Sequence, residues 1–166
     1  MLLIRHHYDL GKKDSLVTDT ATYKIFYPRF RIEHTLKYQQ QLGQFFDNNV
    51  DSLRYLNYFN YRTRNGQYFQ IKDSWKILTN EFALISFPDK SNQSQFIKAA
   101  IALQQISGNF DTTHTTRLNN IYAIGEYRNR TKNQVWDLEA KGELYLNGFN
   151  SGDYSALLRM KRLLGK

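Results

Sequence analysis

Asn65-Gly66 falls between two aromatic runs and is the strongest short-range hairpin signal in the chain. A two-residue type I′ turn needs positive φ at both central positions, which Asn and Gly tolerate and most residues do not. The reading is a β-hairpin in which residues 67–72 return, Arg64 faces Gln67 and Arg62 faces Phe69. The phrase entering this turn, Tyr61-Arg62-Thr63-Arg64, is echoed by Tyr127-Arg128-Asn129-Arg130 before Thr131-Lys132-Asn133. Both phrases read as an aromatic strand running into an arginine-tipped turn.

Helical spacing accounts for much of the rest. Tyr38, Leu42, Phe45 and Phe46 fall at i, i+4, i+7 and i+8, with Asp47-Asn48-Asn49 as a stop. Residues 92–107 carry Ser91 or Asn92 as N-cap and Gly108-Asn109 as C-terminal signal. Phe96, Ile97, Ala99, Ala100, Ile101, Ala102 and Leu103 make that stretch apolar nearly all round, which predicts a central helix packed on more than one side. A closing helix is predicted from Asp153 as N-cap. Tyr154, Leu157, Leu158 and Leu164 share its face, and Arg159, Lys161 and Arg162 complement its dipole. Asp73-Ser74 predicts a short helix through Leu78.

Strands are predicted at 23–32 (an edge or irregular segment, because of Pro28), 82–87, 121–127, 135–138 and 144–146. Residues 53–64 fit helix or strand equally, and 110–120 stay unassigned. Asp9–Thr22 is polar and reads as a loop, so residues 1–22 stand as an N-terminal arm. The resulting fold class is α+β: one domain over 1–166, with hairpins and a meander packed on a central apolar helix, and a C-terminal amphipathic helix.

Charge directs the functional reading. Twenty-three Lys and Arg stand against 15 Asp and Glu, a net charge of +8. Such a surplus speaks to partners, and nucleic acid is the usual polyanion. Arg62, Arg64, Arg128, Arg130 and Lys132 at the two tips, with Arg159, Lys161 and Arg162, are the candidate phosphate contacts. Tyr61, Tyr68, Tyr127 and Trp136 are the candidate stacking platforms. Solvated tips and edge cations that block aggregation explain the same residues without a ligand.

Cysteine is absent, which removes disulfides, zinc–thiolate sites and thiol nucleophiles. His6, His7, His34 and His114 are scattered, so neither a metal nor a cofactor is expected. Met1-Leu2-Leu3-Ile4 is interrupted by Arg5-His6-His7, too early for a signal peptide, and no apolar run reaches the length of a membrane helix. These features predict a non-enzymatic subunit of a large assembly, a phage head–tail or baseplate part or a ribosomal-type protein. It is placed in a virion or inside a cell and not secreted, with other subunits and nucleic acid as partners and no membrane span. A stand-alone nucleic-acid-binding protein is the alternative. A third reading is a metal-dependent nuclease in which Asp89, Glu139 and Lys141 supply the residue types of the PD-(D/E)xK pattern.

Overall fold

A computed structural model describes residues 1–17, 21–90, 92–110 and 114–163. Ser91 and Leu164 lie outside these, as do the portions of the 9–22 and 110–120 segments at 18–20 and 111–113. Seven strands dominate: β1 (Leu2–Val17), β2 (Thr22–Asp47), β3 (Phe69–Ser86), β4 (Gln95–Phe110), β5 (His114–Arg130), β6 (Trp136–Gly148) and β7 (Tyr154–Arg162). One short helix, α1 (Ser52–Phe59), interrupts them between β2 and β3. The strands form a single sheet in the order β1-β2-β3-β4-β5-β6-β7, each antiparallel to the next.

The α+β expectation is therefore overturned: among the described residues no central helix and no C-terminal helix form. Period-two alternation explains why. In β4, Ile97, Ala99, Ile101 and Leu103 point to one side and Lys98, Ala100, Ala102 and Gln104 to the other. Alanine at 100 and 102 hides the alternation, because an apolar residue stands where a polar one marks the second face. Those alanines are small for a packing reason: Tyr122 and Ile124 of β5 lie against Ala102, with Ala100 and Tyr145 beside them.

The supposed helix at 38–46 is the second half of β2. Tyr38, Leu42 and Phe46 are spaced by four, a spacing that a strand face shares with a helix; only Phe45 breaks the period of two. The closing segment is β7, with Tyr154, Ala156, Leu158 and Met160 on one face. Asp73–Leu78 belongs to β3, and residues 9–17 are the second half of β1.

Asn65-Gly66 does not close a two-residue hairpin. Gly66 has φ +71, but Asn65 is not among the non-glycine residues with positive φ. The Asn65 side chain instead accepts a hydrogen bond from the Ser52 backbone N–H at 2.6 Å, tying the start of α1 to the return of the connection. Asp51 caps α1 by accepting from the Leu53 and Arg54 N–H groups, and Asn60 ends it in the left-handed region.

One buried polar residue braces the sheet. Asn120 is 1% exposed. Its amide donates to Gln104 Oε1 on β4 at 3.1 Å, and its oxygen accepts from the Asn150 N–H in the β6–β7 turn at 3.0 Å. A register shift between Ile121 and Tyr122 adjoins it and brings Tyr122 onto Tyr145, with ring centroids 4.8 Å apart. Asn120→Ala leaves the Gln104 and Asn150 groups unpaired. The expected cost is about 1–3 kcal/mol, measured as a lowered urea midpoint.

Candidate functional site

The two faces of the sheet have exchanged their usual roles. On one face stand Leu2 and Ile4 (β1), Ile32 and Leu36 (β2), Phe82 and Leu84 (β3), Ile101 and Leu103 (β4), and Leu144 and Leu158 further on. This apolar face is open: Leu84 is 52% exposed and Ile101 49%. The opposite face carries charged and amide side chains, and it is the shielded one. Glu33, Thr35, Thr79 and Asn120 are all buried on it. A water-soluble sheet with one open face puts its polar residues there. This sheet does the reverse.

The polar face is held by ion pairs that cross between strands. Asp9 of β1 receives Arg31 of β2 through two bonds, at 2.6 and 2.9 Å. Lys98 of β4 lies 2.6 Å from Glu81 on β3 and 3.8 Å from Glu33 on β2, and Arg5 of β1 lies 3.7 Å from Glu33. Four strands are joined in this way. At the far side of the sheet, Arg128 of β5 pairs with Asp137 of β6 at 3.3 Å, and Glu139 of β6 pairs with Arg159 of β7. The register sets these up as ladders, Arg128 opposite Glu139 opposite Arg159, and Arg130 opposite Asp137 opposite Lys161. Opposite charges directly across a ladder attract and also fix its register.

The connection 48–68 adds an aromatic hollow at one end of this polar face. Phe45, Phe69 and Ile71 project from the face, and Tyr55, Phe59 and Tyr61 of the connection close over them around a cavity of about 460 Å³. Tyr55 and Tyr61 meet Phe69 edge-on, with centroids 5.3 and 5.4 Å away. The Tyr55 hydroxyl donates to Asp47 at 3.0 Å, and its burial, more than that bond, raises its pKa above the ordinary phenol value. The connection is thus docked on the polar side of the β2–β3 hairpin.

The residues expected to grip nucleic acid do not converge. In a meander, connections alternate between the two ends of the sheet. Arg62 and Arg64 lie in the β2–β3 connection at one end, and Arg128, Arg130 and Lys132 lie around the β5–β6 turn at the other. Arg128 and Arg159 are neutralised by carboxylates, and Lys132 lies 3.1 Å from Asp89. Arg162 turns to the apolar face and covers the Trp136 ring at 5.1 Å. Tyr127 shares that face, Tyr61 packs in the hollow, and Tyr68 is exposed. The residues of the nuclease reading have separate partners: Asp89 has Lys132, Glu139 has Arg159, and Lys141 has Glu143 at 2.8 Å.

Sequence reasoning missed Glu33, Glu81, Lys98 and Asn120. The signal that could have found them is the alternation of charged with apolar residues through 2–10, 30–38 and 97–104. No helix among the described residues is long and apolar enough to cross a membrane, a finding that concerns helices and not strands.

Long antiparallel strands, apolar on the open face and charged on the shielded one, follow the pattern of outer-membrane β-barrel walls. The chain belongs to the porin family described as "putative porin", whose family model matches residues 2–163. No curated protein and no solved structure matches it. Family membership overturns the expectations of a virion or ribosomal-type subunit, of nucleic-acid binding, and of a virion or intracellular location.

The Lys98 cluster is testable by itself. Lys98→Met leaves Glu33 and Glu81 facing each other without their shared cation. The expected loss is ~2–3 kcal/mol, below the ~3–5 of a fully buried pair because Glu81 keeps some exposure. Adding Glu81→Gln to Lys98→Met should restore part of it, read from urea unfolding of both variants.

Proposed function

We propose that this chain forms a sector of the wall of an outer-membrane porin, with its charged face lining an aqueous passage for small hydrophilic solutes. The exchanged polarity of the two faces carries this reading. A barrel wall meets hydrocarbon outside and water inside, so apolar residues must be open and polar ones turned inward.

Strand length agrees. The outward apolar positions run from Leu2 to Leu10 on β1, Phe30 to Tyr38 on β2 and Leu138 to Leu146 on β6. Nine residues at a rise of about 3.3 Å and a tilt of about 45° span roughly 20 Å, close to the ~25 Å apolar band of such barrels. Tyr8, Phe30, Tyr127 and Trp136 toward one end and Tyr38, Phe149 and Tyr154 toward the other stand where aromatic girdles occur.

The outer edges of β1 and β7 are unpaired among the described residues. Hydrocarbon tolerates no unpaired backbone edge, and barrels need at least about eight strands. Further strands therefore complete the wall. The interleaving of Arg and Lys with Asp and Glu favours a lining for polar solutes of either sign. The docked 48–68 connection narrows one mouth.

Absence of cysteine permits a clean test. Single substitutions Ile32→Cys, Phe82→Cys and Ile101→Cys should be inert to a water-soluble maleimide in intact membranes, whereas His7→Cys, Gln41→Cys and Ser155→Cys, exposed positions on the polar face, should react. Equal reactivity of the two sets would refute the assignment. A quantitative companion is Ile101→Lys. In lipid it should cost about 2–4 kcal/mol. In a water-soluble sheet the same exposed position would tolerate lysine within about 0.5 kcal/mol. Folding titrations into vesicles distinguish these values.

A further inference from the structure

The outward face is not uniformly apolar. At the end of the sheet that carries the 48–68 connection, a hollow of about 370 Å³ opens on it, lined by Tyr38, Lys76, Leu78, Gln105, Arg117 and Asn119 among others. Lys76 and Arg117 stand in one transverse row, each opposite Ser107 on the intervening strand. Two strand spacings separate their backbones by roughly 10 Å, a gap that two long cationic side chains can bracket. One row inward come Tyr38, Leu78, Gln105 and Asn119, and the next row is Leu36, Asn80, Leu103 and Ile121, where the apolar belt begins.

We propose that this hollow binds the phosphate of an anionic membrane lipid, held between Lys76 and Arg117 with its acyl chains against Leu78, Leu103 and Ile121. The inference rests on the reading of this face as lipid-facing. Three observations support it. On the inward face Arg5, Arg31, Lys98, Arg128, Lys141 and Arg159 each have a carboxylate partner. Lys76 and Arg117 have no ion-pair partner among the described residues, although they sit beside an apolar surface where an uncompensated charge is costly. Their level, just outside the belt, is the headgroup level, where the available counter-ion is a lipid phosphate. The Tyr38 hydroxyl and the Gln105 and Asn119 amides supply neutral donors around the same space, as a phosphate with several acceptor oxygens requires.

The test uses the purified protein in phosphatidylcholine vesicles, with spin-labelled phosphatidylglycerol or spin-labelled phosphatidylcholine as probe. The motionally restricted fraction of each label reports its association with the protein wall. Wild type should prefer phosphatidylglycerol, by up to roughly fivefold per cation. Lys76→Gln with Arg117→Gln should abolish the preference and leave the restricted phosphatidylcholine fraction unchanged, while Lys76→Glu with Arg117→Glu should invert it. A preference that survives both double variants overturns the site. So does its loss when millimolar inorganic phosphate is added to wild type, which would assign the hollow to a soluble anion. Absence of a restricted fraction for either lipid refutes the lipid-facing assignment itself, and the site with it.

Discussion

The antiparallel backbone ladder is the constraint from which the rest of this structure follows. In hydrocarbon an N–H or C=O without a partner costs several kcal/mol, so a membrane sheet must satisfy its backbone within itself. Six consecutive ladders, β1 to β7, achieve this for every interior strand. Once the backbone is satisfied, side chains need only match the medium they face. Leucine, isoleucine and phenylalanine left open to lipid lose nothing by exposure, because the medium is as apolar as a protein core. The inward side then has to do the packing that a soluble protein assigns to apolar residues, and it does so with ion pairs, amide bonds and a small cluster of Tyr122, Ile124, Ala102 and Tyr145.

That division explains where small residues fall. Gly108 sits opposite Trp75, and a Cβ there would enter the indole ring, so the ring covers bare backbone on the inward face. Ala100 and Ala102 leave room for Tyr122 in the same way. Gly148, at φ +108, adopts a backbone that a side chain would strain, next to the shift of register that swings Tyr122 over Tyr145. Aromatic rings laid over small residues fill the inward side of the sheet without a second layer.

How much of this was legible in the sequence depends on the period through which it is seen. The strands at 23–32, 82–87, 121–127, 135–138 and 144–146 were accessible because β-branched, aromatic and turn residues mark them locally. The helix assignments failed for definable reasons. A spacing of four, as in Tyr38, Leu42 and Phe46, belongs to both periods. Alanine on the inward face of β4 erased the contrast on which alternation depends. Asn65-Gly66 reflected real turn chemistry, but its partners were Ser52 and Val50 in a folded connection rather than two flanking strands. The charged site was harder still. Glu33, Glu81 and Lys98 are 65 residues apart from first to last and meet only through strand register, which no local pattern encodes. The strands contain no long apolar runs, since each presents an apolar residue only at about every second position, so a membrane location leaves no such run in the sequence.

The basic surplus acquires a different meaning in this setting. A cluster of cations on a water-soluble chain is a candidate for any polyanion, and the two Tyr-Arg phrases suggested one surface. The meander places them at opposite ends, and the register assigns Arg128 and Arg159 to carboxylates on the same face. What decides the role of each cation is the dielectric around it. Arg128 and Arg159 face inward and find their counter-ions within the protein. Arg162, at the outward rim, covers Trp136, an arrangement that keeps its charge at the interface while its stem shields the ring. Lys76 and Arg117 have neither a carboxylate nor a ring among the described residues, and a lipid phosphate would neutralise them from outside. The same residue type therefore serves as brace, interface anchor or lipid contact, according to the face and level at which strand register places it.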